Sequence, residues 1–326
     1  MSKIDFGVSL YSYTEQFVRE DGYGFEQMFR EMNKLGVHKC EIVGPQMFQS
    51  YPNPRDEEIQ EVLRLAEKYG IQEPFSYGGY VDFAKHYDYE MDDAERLEQV
   101  TYDLITAHKL GCGYMRGFGI PGYLYPQVAE IAERYGVIVC YEIHAPNQPS
   151  DPDVQDLIKT FDELKSPWVG FVPDFGCYIE HPNTFHYNRF LRLGVKKENL
   201  DFIIANRRNG YSDEEMLAKM EEMGGGLAEK MAVSDWYGSL SFKPVDIEGF
   251  RSVLRHAKYF HGKFYHIGKD CVETTIPYET LFRLIRESGF EGTIITEYEG
   301  HLFMMNDAGE QIARHIQMER NLLNMK

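Results

Sequence analysis

The chain has 326 residues, 43% hydrophobic and 26% charged, an ordinary composition for a globular protein and not for a disordered or fibrous one. Its formal net charge of −18 disfavours nucleic acid as a partner, because phosphate binding needs clustered Lys and Arg. No window approaches the ~18 apolar residues of a membrane span. The amino-terminal Met1-Ser2-Lys3-Ile4-Asp5-Phe6 lacks the apolar core of a signal peptide. The five cysteines (Cys40, Cys112, Cys140, Cys177, Cys271) are scattered with no CxxC spacing, which suits reduced thiols and a cytoplasmic setting.

In chain order, the first apolar run, Phe6-Gly7-Val8-Ser9-Leu10, predicts a strand beginning near residue 4. A helical stretch closing on a basic residue, an apolar residue and Gly then recurs, each time followed by an apolar run. It is seen at Lys34-Leu35-Gly36-Val37, Lys68-Tyr69-Gly70-Ile71, Lys109-Leu110-Gly111-Cys112 and Arg134-Tyr135-Gly136-Val137, and more weakly at Glu287-Ser288-Gly289-Phe290. The basic residue favours the negative end of the helix dipole, and Gly takes the left-handed cap. Leu97, Val100, Leu104 and Ala107 show the helical period within one such unit. Further strands are expected to begin near residues 38, 71, 113, 137, 169, 263 and 292. Eight strand–helix units predict a single (β/α)₈ TIM barrel over residues 1–326, with a doubly wound open sheet as the structural alternative.

One interval breaks the rhythm. Strand six ends near Asp174 and strand seven starts near Lys263, more than one crossover helix requires. The excess, about 183–240, holds helical patterns over 200–209 and 212–231, the run Gly224-Gly225-Gly226, and an aromatic cluster with Trp236 and Tyr237. Such an insertion is a lid, a partner-binding surface or surface decoration.

Barrel active sites lie at the carboxyl ends of the strands. Four late strand ends carry lone ionisable residues after apolar runs: Glu142 in strand five, Asp174 in strand six, His266 in strand seven and Glu297 in strand eight. Three carboxylates converging with an imidazole would repel one another without a cation among them. Three oxygens and one nitrogen suit Mn²⁺, Mg²⁺, Co²⁺ or Zn²⁺. His144 is two residues beyond Glu142, so strand alternation puts it on the same side, where an imidazole can carry protons. Glu142 and Glu297 are the competing acid/base groups. Arg116 could hold a substrate oxygen or sit in an ion pair, and Tyr11, Lys269, Tyr298 and His301 are candidate pocket residues just past strand ends.

The opening Gly7-Val8-Ser9-Leu10-Tyr11, Glu142-Ile143-His144, Asp174, His266-Ile267-Gly268-Lys269-Asp270 and Glu297 together resemble the xylose isomerase-like TIM barrel superfamily of sugar-phosphate isomerases and epimerases. That resemblance implies one divalent metal, often Mn²⁺, on Glu142, Asp174, His266 and Glu297. Within the superfamily the chain looks most like the large (α) subunit of bacterial C-glycoside deglycosidases, on Gly7–Thr14, Glu41-Ile42-Val43-Gly44-Pro45-Gln46-Met47 and Tyr141–Pro146. The resemblance implies a 3-oxo-C-glycoside substrate cleaved by proton abstraction at C2, and a smaller β subunit in a hetero-oligomer. A keto-sugar or sugar-phosphate isomerase or epimerase acting through an enediolate is the alternative. A nuclease of the endonuclease IV type fits the acidic balance poorly, and a non-catalytic scaffold is the remaining class.

Overall fold

The computed structural model describes residues 4–81 and 90–324. Strand β1 (Ile4–Ser9) is followed by α1 (Thr14–Arg19) and α2 (Phe25–Leu35); β2 (Lys39–Val43) by α3 (Gly44–Met47) and α4 (Asp56–Tyr69); and β3 (Glu73–Tyr80) by α5 (Asp93–Leu110). Strand β4 (Tyr114–Phe118) leads to α6 (Tyr125–Tyr135), and β5 (Ile138–Ile143) to α7 (Pro152–Leu164). After β6 (Val169–Pro173) come α8 (Thr184–Leu191), α9 (Lys197–Arg208), α10 (Asp213–Glu222), α11 (Leu227–Gly238) and α12 (Ile247–Val253). Strand β7 (Phe260–Phe264), α13 (Tyr278–Glu287), β8 (Gly292–Tyr298) and α14 (Ala308–Asn324) complete the chain.

All neighbouring strands are parallel, in the order β6-β5-β4-β3-β2-β1-β8-β7. Isolated parallel bridges Phe171↔Ala257 and Asp174↔His261 join the two ends, so the sheet closes into the expected TIM barrel. The repeated glycines do what their position predicts. Gly36, Gly70, Gly111 and Gly136 end α2, α4, α5 and α6 in the left-handed conformation, with φ between 65° and 75°. All five cysteines are free.

The inserted segment of about residues 183–240 holds four helices, α8 to α11, where the sequence suggested two patterns. Gly224, with φ 74°, breaks the second pattern into α10 and α11. The aromatic cluster is continuous with the main hydrophobic core: Trp236 is buried and packs edge-on against Tyr187, Phe190 and Phe242.

On the barrel-facing side of α5, Asp103 is fully buried among apolar neighbours. Burial pushes its carboxyl up to about 8, with Gln99 and Tyr77 opposing the shift only in part. The folded protein therefore keeps the proton that the unfolded chain loses above about pH 4. This group favours folding fully below that pH, and the advantage is lost as pH rises through about 8. Asp103→Asn, neutral and of the same shape, is expected to raise the Tm at pH 7–8, corresponding to a stabilisation on the order of a few kcal/mol. Thermal unfolding of variant and wild type should converge near pH 4; a constant difference across pH would refute this account.

Candidate metal centre and active site

Strand alternation decides which residues share the barrel interior. Glu142 on β5, Asp174 at the end of β6, His261 on β7 and Glu297 on β8 bring one ligand atom each to within 4.8 Å of one another, all from buried residues. Two ligands on opposite sides of an ion bound at 2.0–2.4 Å would be about 4–5 Å apart, so the spacing fits a divalent cation. Asp174 Oδ2, His261 Nδ1 and Glu297 Oε2 are buried without a well-formed hydrogen bond. These three inward atoms are engaged by ion pairs alone, which a bound cation could replace.

The charge balance points the same way. Glu41, Glu142, Asp174, Glu297 and Glu299 surround two obligate cations, Arg116 and Lys263. Five carboxylates less two cations leaves a deficit of three positive charges, and a buried deficit of that size is costly unless a cation or bound protons make it up. Arg116 Nη1 donates to Glu142 Oε2 at 2.7 Å and its Nε to Glu41 Oε1 at 3.2 Å. Lys263 Nζ lies 3.0 Å from Asp174 Oδ2, 2.9 Å from Glu297 Oε2 and 2.7 Å from Glu299 Oε1. Burial opposes charge on His261 and Lys263, yet the facing carboxylates outweigh it and raise both pKa values well above their ordinary range. Burial also opposes ionisation of Glu142 and Glu297, but Arg116 with His261, and Lys263 with His261, hold them below the usual carboxylate range.

The histidine that joins Glu142, Asp174 and Glu297 in the cluster is His261 and not the expected His266. Strand β7 begins at Phe260, three residues before the expected start, and ends at Phe264. His266 lies beyond it, half-buried, with its Nδ1 3.2 Å from Gln311 Nε2 and its ring against Phe185. An offset of five residues from His261 is odd, so the two would face opposite sides even on a continued strand. Lys263, two residues from His261, shares its side and pairs in register with Glu297.

His144 reaches the mouth of the cluster. Its Nδ1 is 2.7 Å from the Ala145 carbonyl oxygen, so that nitrogen carries the hydrogen. Its Nε2 is 3.2 Å from Lys263 Nζ and 3.8 Å from Asp174 Oδ2. A cavity of about 890 Å³ opens from Glu142 and His144 along residues 117–123 to Asp153 and Asp156 at the start of α7. Tyr11 and His301 also meet near the site, with Tyr11 Oη 3.1 Å from His301 Nε2, and His301 lies 3.6 Å from Glu299. Two expected pocket residues are elsewhere. Tyr298, one residue out of phase with Glu297, turns away from the interior, stacks on Phe264 and donates to Asp307 at 2.7 Å. Lys269 is exposed in the turn after His266. Arg116 is ion-paired at the centre of the barrel, the second of its two expected roles.

Comparison with known proteins agrees with this architecture. Residues 29–322 match the family described as xylose isomerase-like TIM barrel. The chain belongs to this family. Among curated relatives, a 3'-dehydrocarminate deglycosidase alpha subunit from Microbacterium sp is 25% identical, covering 96% of this chain and 94% of that one. A C-glycoside deglycosidase alpha subunit from Microbacterium trichothecenolyticum is 27% identical over 90% of this chain and 83% of its own. Solved structures sharing the fold include the IOLI protein with a zinc atom (TM-score 0.59, 11% identity, full coverage of both chains). A D-psicose 3-epimerase with D-tagatose from Clostridium cellulolyticum H10 has a TM-score of 0.57 at 14% identity, again over all of both chains.

The two histidines are separable by experiment. His261→Ala is expected to weaken Mn²⁺ or Co²⁺ binding by at least the roughly 10–100-fold that loss of an outer-shell partner costs. His266→Ala should keep wild-type metal content by elemental analysis. The reverse result would return the ligand role to His266.

Proposed function

We propose that the protein is a divalent-metal-dependent lyase that cleaves the carbon–carbon glycosidic bond of 3-oxo-C-glycosides. The observation that carries this reading is the placement of His144 at the edge of the four-residue cluster, with Nδ1 committed to the Ala145 carbonyl and Nε2, which faces Lys263 Nζ at 3.2 Å, left as the nitrogen without a hydrogen. The printed names of the deglycosidase relatives supply the substrate class.

A bound divalent ion would supply Lewis acidity for the charge that develops on the C3 oxygen, and the ligand set admits Mn²⁺ first, with Mg²⁺, Co²⁺ or Zn²⁺ as alternatives. The chain's own groups do the rest. His144 Nε2 accepts the proton at C2 of the 3-oxo sugar, and its ring is held for this by the Nδ1–H bond to Ala145. The C–H electron pair enters the enolate, then forms the C1–C2 double bond as the C1–aglycone bond breaks. The aglycone carbon leaves with that bond's electron pair and takes up one proton, so the proton lost at C2 is balanced. Lys263, 3.2 Å from His144 Nε2, places a fixed positive charge beside this path. Glu142 and Glu297 spend their oxygens on Arg116, His261 and Lys263, which favours His144 over either glutamate as the base.

His144→Ala is expected to slow aglycone release from a 3-oxo-C-glycoside by about 10²–10⁴-fold while leaving metal content unchanged. If the Mn²⁺-loaded wild type releases no aglycone but interconverts free ketohexoses, the isomerase or epimerase reading replaces this one.

We also propose a smaller β subunit as partner, in line with the relatives' designation as alpha subunits. Leu227 and Met231 are exposed one helical turn apart on α11, and Met223 is exposed at the turn before it. Leu227→Glu with Met231→Glu should abolish co-elution with a co-expressed small subunit in size-exclusion chromatography without lowering the Tm. Intact co-elution would move the interface elsewhere.

A further inference from the structure

Glu41, near the middle of β2, has no exposure to solvent and is held by donors from around the barrel. Ser9 Oγ of β1 donates to Oε1 at 3.3 Å, and Arg116 Nε of β4 to the same oxygen at 3.2 Å. Oε2 accepts from Ser76 Oγ of β3 at 3.2 Å and from the Tyr259 hydroxyl at 2.9 Å, and lies 3.1 Å from His261 Nε2. Burial would raise the Glu41 pKa, but Arg116 and His261 together hold it below the usual carboxylate range.

This geometry fixes two choices in the cluster above it. A carboxylate only accepts, so His261 Nε2 must carry a hydrogen, which leaves Nδ1 as the nitrogen able to bind a cation. Nδ1 is the atom that faces Glu142 Oε1 at 2.8 Å and Glu297 Oε2 at 3.2 Å. Glu41 also anchors one arm of Arg116, whose other arm takes Glu142 Oε2 at 2.7 Å and so turns Oε1 towards the cluster. We infer that Glu41 is a positioning residue that selects Nδ1 of His261 and Oε1 of Glu142 as ligand atoms for the metal. The inference rests on the metal-centre reading above. Carboxylates that orient a ligating imidazole from behind set its tautomer, its direction and its basicity.

The test is metal binding, measured apart from turnover. Co²⁺ titration of the wild type, followed by visible d–d absorption and by chelator competition, addresses the metal centre itself; no uptake there would remove that reading. Given uptake, Glu41→Gln is expected to bind Co²⁺ about 10–100-fold more weakly and with an altered d–d spectrum, since the ligand geometry has changed and not merely the fold. Tyr259→Phe keeps the carboxylate but removes one of the groups that hold it, and a severalfold loss is expected; it serves as the test if Glu41→Gln does not fold. Wild-type Co²⁺ affinity and spectrum in whichever of these variants folds would overturn the role of Glu41.

Discussion

The structure depends on one electrostatic constraint: five carboxylates are buried at the interior of a parallel barrel that, among the described residues, sets only Arg116 and Lys263 against them as obligate cations. Isolated, each would cost several kcal/mol to bury. The barrel meets that cost by layering. Glu41 sits lowest and gathers hydroxyl and guanidinium donors; Arg116 bridges upward to Glu142; His261 stands between Glu41 and the two upper glutamates; Lys263 closes the top between Asp174, Glu297 and Glu299. Charges alternate along this column, so each layer orients the next. The remaining deficit is concentrated where Glu142, Asp174, His261 and Glu297 converge, and that is where a divalent ion fits.

Much of the scaffold was legible because its signals are local. A Gly that takes a left-handed cap before an apolar run marks a helix end and a strand start, and β2, β3, β4, β5 and β8 begin within two residues of where such runs predicted, as β1 and β6 do without that Gly. Strand β7 is the exception. Its sequence, Phe260-His261-Gly262-Lys263-Phe264-Tyr265-His266, has no helix-ending Gly before it and offers aromatic residues on both parities. A three-residue error in its start exchanges the inward and outward faces, which is why His266 was expected where the cluster holds His261. The available signal was the spacing of His261 and Lys263, two ionisable residues one alternation apart inside an aromatic run. Glu41 was visible in the sequence as part of a resemblance, but its role was not, because it depends on partners from four other strands. Ser9, Ser76, Arg116, Tyr259 and His261 converge on it only in three dimensions.

The same reasoning separates the two tyrosines and the one histidine expected to line the pocket. Tyr11 and His301 lie past strand ends, where no alternation applies, and they meet each other beside Glu299. Tyr298 is still within β8, so its parity is fixed by Glu297 and it must face the helical layer.

The seam of the barrel ties these features together. Seven neighbouring strand pairs form ladders, while β6 and β7 are joined by only two isolated bridges among the described residues. One bridge pairs Asp174 with His261, so two of the four cluster residues stand on opposite sides of the weakest join. The helices α8 to α11 are inserted between those same two strands. A long excursion requires β6 and β7 to find each other across many residues, and few backbone bonds hold them once they do. Side-chain electrostatics must then carry the closure: Lys263 spans from β7 to Asp174, and His261 spans from β7 to Glu142 on β5. The proposed metal site and the integrity of the barrel thus draw on one set of charges, so that loosening the cluster would also loosen the seam beneath the insertion.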